Sequence, residues 1–282
     1  FAYINICDLG MVGPFEQDIK TMDPELAASV VLAYPDICVG IKTAHYWTSL
    51  PFDDLHPPWG AIDPAVEASK ICGKPLMVDF WPRPERTYQE LILKKMQPGD
   101  IHTHVFAQQF PVLDENGKPN KFLFEARDRG IIFDVGHGAG SFWFRNAVPA
   151  IQNGFVPDSI STDLHTHNVH GVVMDMLMTM NKILNIGVPL QEVIYRSTVT
   201  PANEIGHPEL GKLSVGAEAD VAVFKMQSGD FGFMDCGRAK IRGDKKLECM
   251  LTLRAGQIVF DPNAMTVPEW QHAPAAYWQI QR

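Results

Sequence analysis

Cys38-Val-Gly-Ile-Lys42 is an apolar run that closes on a lysine, and the form recurs along the chain. Leu76-Met-Val-Asp79 closes on an aspartate, Ile101-His-Thr-His104 and Ile131-Ile-Phe-Asp-Val-Gly-His137 on histidines, and Ile160-Ser-Thr-Asp163 on an aspartate with His165 just beyond. Runs this continuously apolar suit strands covered on both faces. Counting outward from them, β-rich stretches fall at residues 2–6, 38–43, 75–80, 100–106, 130–135 and 159–164. Helical patterns fill the gaps at residues 24–33, 64–72, 86–96, 122–129 and 144–153. Strand and helix alternate with room for a crossover each time, so the sheet is expected to be parallel.

Beyond the sixth run two helices are expected. The first presents Val172, Val173, Met176, Leu177, Met180, Ile183 and Leu184 on one face, and the second runs from Leu190 towards Ile205. The methionines read as core filling. From Leu210 the pattern turns to Gly-punctuated β at residues 211–224, 247–253 and 257–260. This divides the chain into a body, residues 1–207, and a small β appendage with its tail, residues 208–282. The tail, with Trp270, Tyr277 and Trp278, is expected to dock on the body or on a partner subunit.

Composition narrows the function. The chain has 282 residues, enough for one large domain or one with a small satellite. Its 46% hydrophobic and 20% charged content exclude a disordered chain. Lys+Arg number 24 against 33 Asp+Glu, a net charge of −9 that would repel a phosphate backbone, so no nucleic-acid partner is expected. The most apolar stretch, residues 172–188, is broken by Asp175, Asn181, Lys182 and Asn185 and falls short of the ~20 apolar residues of a membrane span, so no membrane partner is expected either. Five cysteines without a CxxC pair fit a reducing, cytoplasmic compartment.

In a parallel α/β arrangement the C-terminal ends of the strands share one edge, where ligand sites form. Singly, each polar strand end reads as a cap or a hydrogen-bonded loop residue. Together, His, Asp and Lys are the ligand types of a divalent metal such as Zn2+. Other motifs carry less. Gly136-His-Gly-Ala-Gly140 lacks dinucleotide-loop spacing, and Gly138-Ala-Gly-Ser-Phe142 fails the serine-hydrolase elbow. His102 and His104 lie two apart on a strand, either a two-histidine clamp or one ligand and one core residue. His165, His167 and His170 read as a solvated loop. Trp47, Phe52, Trp59, Trp81, Phe142 and Trp143 follow strand ends and could wall an apolar pocket or pack the loops; Arg83 and Arg86 could grip a substrate carboxylate or start a solvated helix.

The ordered set Gly40-Ile-Lys42, Met77-Val-Asp79, Gly99-Asp-Ile-His-Thr-His104, Phe133-Asp-Val-Gly-His-Gly138 and Ser161-Thr-Asp-Leu-His165 resembles the amidohydrolase superfamily, specifically its dihydroorotase-like amidohydrolase/deacetylase metallohydrolases. Residues 211–224, with Ala219-Asp-Val-Ala-Val-Phe224, resemble that superfamily's strand return into a composite β-sandwich. The resemblance implies a (β/α)8 TIM barrel holding one or two divalent ions, Zn2+ foremost, at its C-terminal mouth, with a small β-sandwich appendage. It places Lys42 on the carboxylated lysine that bridges two metals, His104 on the sixth-strand ligand and Asp163 on the eighth-strand aspartate. Asp79 stands where the fifth strand usually supplies a histidine, which leaves its role as a ligand open. His137, His165 and Arg83 become candidates for substrate contact.

On that alignment the six strands are the third to eighth, and the first two βα units, with their His-x-His pair, are absent from this chain. The implied reaction is attack of metal-activated hydroxide on a C–N bond (amide or cyclic amide) or an acyl bond of a small molecule, with Asp163 moving the proton. The rival expectation is a catalytically impaired homologue that serves as a binding or scaffold subunit. Open strand edges favour association, so a homo-oligomer is expected.

Overall fold

Each apolar run pairs with the next along the chain. In the computed structural model, which describes residues 1–11 and 16–275, β1 (Ala2–Asn5), β2 (Cys38–Thr43), β3 (Leu76–Val78), β4 (Ile101–His102) and β5 (Ile132–Phe133) form one parallel sheet in chain order. The fold is α/β, and its strand order lacks the reversal that marks a doubly wound sheet. Ile41, Leu76, Val78, Ile101 and Phe133 are buried, as strands covered on both faces require.

The crossovers are α1 (Pro24–Ala33), α2 (Ile62–Cys72), α3 (Tyr88–Glu90), α4 (Lys121–Asp128) and, after β5, α5 (Phe144–Gln152). Local chemistry sets their ends. Asp23 accepts the Leu26 N–H at 3.0 Å with Pro24 at the first helical position, and α2 stops on Gly73 at φ 65°. The helix expected over residues 86–96 starts at Tyr88, where Thr87 caps it, and widens to a π turn over Leu91–Lys95.

The strands are shorter than the apolar runs, but ladder hydrogen bonds continue past them. Asp79 N–H reaches Thr43 O at 3.0 Å, Thr103 N–H reaches Val78 O at 3.1 Å and Asp134 N–H reaches His102 O at 2.9 Å. Residues 159–164, expected as a sixth strand, form only an isolated parallel bridge, Ser159 to Asp134. They still run alongside, accepting from Val135 N–H at Ser159 O (3.1 Å), His137 N–H at Ser161 O (3.2 Å) and Gly138 N–H at Thr162 O (2.9 Å). At Asp163 the backbone turns left-handed, φ 46°, and leaves that course.

α6 (Met176–Ile186) begins four residues later than the pattern suggests, because Asp175 caps it through the Met178 N–H at 2.7 Å. The last expected helix is two, α7 (Leu190–Ser197) and α8 (Val199–Glu204), broken at Thr198 (φ −135°, ψ −73°). Pro201 lacks an N–H and is tolerated only in a first turn, so the helix restarts just ahead of it.

β6 (Val221–Met234), β7 (Lys240–Arg254) and β8 (Gln257–Phe260) form an antiparallel sheet. Residues 211–220 carry no strand, and the β6–β7 hairpin is much longer than the sequence reading allowed. Its distal half, rich in Lys, Asp and Gly, hides the alternation that marks strands. The hairpin bears directly on the body: Phe233 and Leu247 share the core of the parallel sheet. Asn181 on α6 accepts the Leu247 N–H at 2.6 Å and donates to Leu247 O at 3.1 Å. At the hairpin turn Asp235 accepts the Phe144 N–H at 2.9 Å. Trp270 in the tail is exposed, while Tyr277 and Trp278 lie outside the described residues. Among the described residues no disulfide joins the cysteines and no helix is long and apolar enough to cross a membrane.

Asn181 is buried, so Asn181→Ala strands both backbone groups of Leu247. We expect a loss of about 2 kcal/mol in urea unfolding with an unchanged denaturant slope; an unchanged midpoint would show that the clamp contributes nothing.

Candidate functional site

Parallel register brings the polar strand ends to one edge: Lys42 pairs with Met77, and Val78 with His102. Lys42, His104 and Asp163 line a single cavity of about 290 Å3, together with Tyr3, Thr103, Asp134, Ser161 and Glu204. Asp79 joins the group through His104, whose Nε2 stands 3.7 Å from Asp79 Oδ2.

The backbone at these residues is unusual. His104 at φ 64°, Asp163 at φ 46° and His45 at φ 54° are all left-handed without being glycine. Such conformations persist only where surrounding structure enforces them, and they gather at functional sites. Two glycines make room. A Cβ on Gly136 would stand 2.6 Å from His104 Nδ1, and one on Gly138 would stand 2.6 Å from Asp163 Oδ2.

The left-handed turn also separates His104 from His102. On a regular strand the two would share a face. Instead His102 stays in the core among Tyr88 and Phe110, with ring centroids at 5.0 and 4.6 Å, and burial pushes its pKa down to about 3. It is the core residue of the two. His104 Nδ1 donates to Gly136 O at 2.5 Å, which fixes a proton on that nitrogen and turns Nε2 towards Asp79.

Lys42 is partly buried, and desolvation pulls its amine below the ordinary lysine value; Asp79, Asp163, Asp134 and Glu16 pull the other way, in that order. A lysine biased towards the neutral amine can add CO2 to form a carbamate. Asp163 is exposed, and its carbonyl accepts the Asn168 amide at 2.6 Å.

Asp134, which sequence reasoning passed over, anchors this edge. It is buried and accepts three hydroxyls: Thr103 at 2.7 Å and Ser161 at 2.6 Å on Oδ2, and Ser159 at 2.8 Å on Oδ1. His45 was also missed. Its Nδ1 is 3.4 Å from Glu16 Oε2 and its Nε2 3.5 Å from Asp79 Oδ2, and the hydrogen bond to Glu16 holds its pKa above the usual histidine value. The sequence signal was present: a histidine three residues beyond the lysine that closes a strand.

The candidates for substrate contact do not reach the cavity. His137 is buried, stacked on Phe142 with centroids 4.8 Å apart. Its Nε2 accepts from Lys182 Nζ at 2.7 Å, and burial, aided by that cation, lowers its pKa to about 3. His165 sits exposed in the loop after Asp163, its Nδ1 accepting the His167 N–H at 3.2 Å. Arg83 donates to Leu50 O and covers the Phe52 ring at 4.5 Å. Arg86 is buried and donates to the carbonyls of Trp81 (3.0 Å), Tyr46 (2.8 Å) and Trp47 (3.1 Å), a loop staple rather than a carboxylate fork.

The donor set fits a divalent cation. One imidazole has its outer nitrogen committed and its inner nitrogen 3.7 Å from a carboxylate oxygen, too far for a hydrogen bond. Two ligands of a tetrahedral ion at ~2.0–2.2 Å stand about 3.4 Å apart, close to the His104–Asp79 gap. Among the described residues, however, no three His, Cys, Asp or Glu side chains form a complete cluster by themselves.

The sequence model of the amidohydrolase family matches residues 144–259. A deacetylase of Brucella anthropi is 32% identical over 83% of this chain and 58% of its own length. A deacetylase of Enterococcus faecalis is 30% identical over 92% of this chain and 70% of its own length. The chain thus spans between just over half and about two thirds of the length of these curated relatives. Among solved structures, an adenine deaminase superposes with a TM-score of 0.84 at 28% identity, covering 93% of this chain and 70% of the neighbour. A dihydroorotase superposes at 0.76 and 28%, covering 92% and 70%.

Glu204 yields a test on the cavity floor. Burial first, then the charge of Asp134, pushes its carboxyl up to about 8, and its Oε1 has no partner among the described residues. Between the ordinary carboxylate value and about 8 the folded chain keeps a proton that the unfolded chain has released, so stability falls as pH rises through that window. Glu204→Gln should match the wild type near pH 4.5 and exceed it by about 2 kcal/mol at pH 8, screening included. A pH-independent difference in urea midpoint would refute this protonation state.

Proposed function

The chain belongs to the amidohydrolase family, and from that premise we propose that it takes part in metal-dependent hydrolysis of a C–N bond, in an amide or cyclic amide, or of an acyl bond such as an acetyl group, in a small molecule. The observation that carries the reading is the meeting of Lys42, His104 and Asp163 at one cavity, with Asp79 3.7 Å from His104. Deacetylase relatives and deaminase and dihydroorotase neighbours support the same class of reaction. The sequentially ordered parallel sheet supports membership of a (β/α)8 barrel.

Residues Lys42, Asp79, His104 and Asp163 would hold one or two divalent ions, Zn2+ foremost, with Lys42 as its carbamate. The ion supplies Lewis acidity, bringing the pKa of bound water from 15.7 towards ~7. The protein does the rest. His104, locked by Gly136 O, would present Nε2 to the ion without reorienting. Lys42 gains a longer, anionic reach as the carbamate, which its depressed basicity favours. Asp163, held by Asn168 and open to solvent, takes a proton on its carboxylate and returns it to the leaving nitrogen or oxygen, a role typically worth ~10² to 10⁴ in rate.

A scaffold role is the second reading, favoured by the lack of a three-residue His/Cys/Asp/Glu cluster among the described residues. The two separate on metal dependence. Against a panel of N-acetyl, cyclic amide and acyl ester substrates, hydrolysis should stop on chelation and return with Zn2+. Asp163→Asn should lose about 10² to 10⁴ in kcat. Activity indifferent to chelators, or no turnover by the zinc-loaded protein, would favour the scaffold.

A further inference from the structure

His45 is absent from the alignment that singled out the other candidates, yet it stands in the same cluster. It lies two residues past the end of β2 in a left-handed conformation, φ 54°, that is uncommon outside glycine. Its two ring nitrogens face two carboxylates. Nδ1 is 3.4 Å from Oε2 of Glu16, a buried residue whose Oε1 has no partner among the described residues. Nε2 is 3.5 Å from Asp79 Oδ2.

His104 repeats the arrangement. Its outer nitrogen is committed to Gly136 O, and its Nε2 approaches that same Asp79 oxygen at 3.7 Å. Two imidazoles thus converge on one carboxylate oxygen, the far nitrogen of His104 tied to Gly136 O at 2.5 Å and that of His45 in a longer contact with Glu16 at 3.4 Å, an arrangement of the kind that orients histidine ligands in metal sites. Both gaps exceed the 2.7–3.2 Å of a good hydrogen bond and lie near the ~3.4 Å between neighbouring ligands of a tetrahedral ion.

We propose that His45, oriented by Glu16, is a ligand of the divalent cation at this edge, and that Asp79 is the carboxylate it shares with His104. The assignment rests on the metal-dependent reading above. It explains how an aspartate serves at the end of β3: the imidazole comes from the neighbouring loop instead.

The test is zinc affinity, measured with Zn2+ alone by chelator competition and cross-checked by the visible spectrum of the Co2+ form. His45→Asn is the informative variant, because asparagine tolerates the left-handed backbone but offers no imidazole. It should bind zinc at least 10-fold more weakly than wild type and alter the Co2+ ligand-field bands. Glu16→Gln should weaken binding by a smaller factor with the bands preserved, and His272→Ala, a surface control, should leave both unchanged. Circular dichroism establishes that each variant is folded; should His45→Asn fail to fold, His45→Gln replaces it. Wild-type affinity and spectrum in His45→Asn, alongside loss of binding in His104→Ala, would overturn the role of His45 and leave the metal-dependent reading standing. No zinc uptake by the wild-type chain would overturn both.

Discussion

The site edge depends on one buried carboxylate. Asp134 accepts hydroxyls from Thr103, Ser159 and Ser161, and so ties the end of β4, the end of β5 and the segment leading to Asp163 to a single point. A buried carboxylate is costly unless its lone pairs are occupied, and three short hydroxyl bonds occupy them. Because the residues that follow these anchors are His104 and Asp163, the spacing of the candidate ligands is inherited from the Asp134 network. Residues 159–162 lack regular strand pairing yet hold their course beside β5, and the two serine hydroxyls are part of the reason.

From that anchor the chain turns abruptly. His104 and Asp163 leave their strands through left-handed conformations, and Gly136 and Gly138 leave open the space their side chains enter. The turn after Thr103 divides the chemistry of two neighbouring histidines: His102 enters the apolar core and stays neutral, while His104 faces the cavity with one nitrogen locked and the other available. Sheet register chooses the edge, and backbone strain aims the side chains.

Much of this was legible in the sequence. Apolar runs closing on Lys42, Asp79, His104 and Asp163 fixed both the parallel sheet and the edge at which they meet, because strand C-termini in such a sheet have nowhere else to go. Side-chain direction was harder to read. His137 closes its run as His104 does, yet it turns inward to Lys182, a partner 45 residues away that only tertiary packing supplies. Arg86 looked like a fork for a carboxylate and is consumed by four loop carbonyls, those of Trp81, Pro58, Tyr46 and Trp47. Asp134 lay inside an apolar run and drew no attention, since its three hydroxyl partners come from other segments. The long hairpin was missed in its distal half, where Lys225, Asp230, Arg242 and Asp244 interrupt the hydrophobic alternation on which strand recognition relies.

Residues far apart in sequence would together hold a cation at the rim of the parallel sheet. Anomalous diffraction at the zinc edge from zinc-soaked crystals tests it most directly. A strong peak is expected within bonding distance of His104 Nε2 and Asp79 Oδ2, with density for a carbamate extending from Lys42 Nζ. A peak confined to other surface histidines, with these side chains unligated, would contradict it.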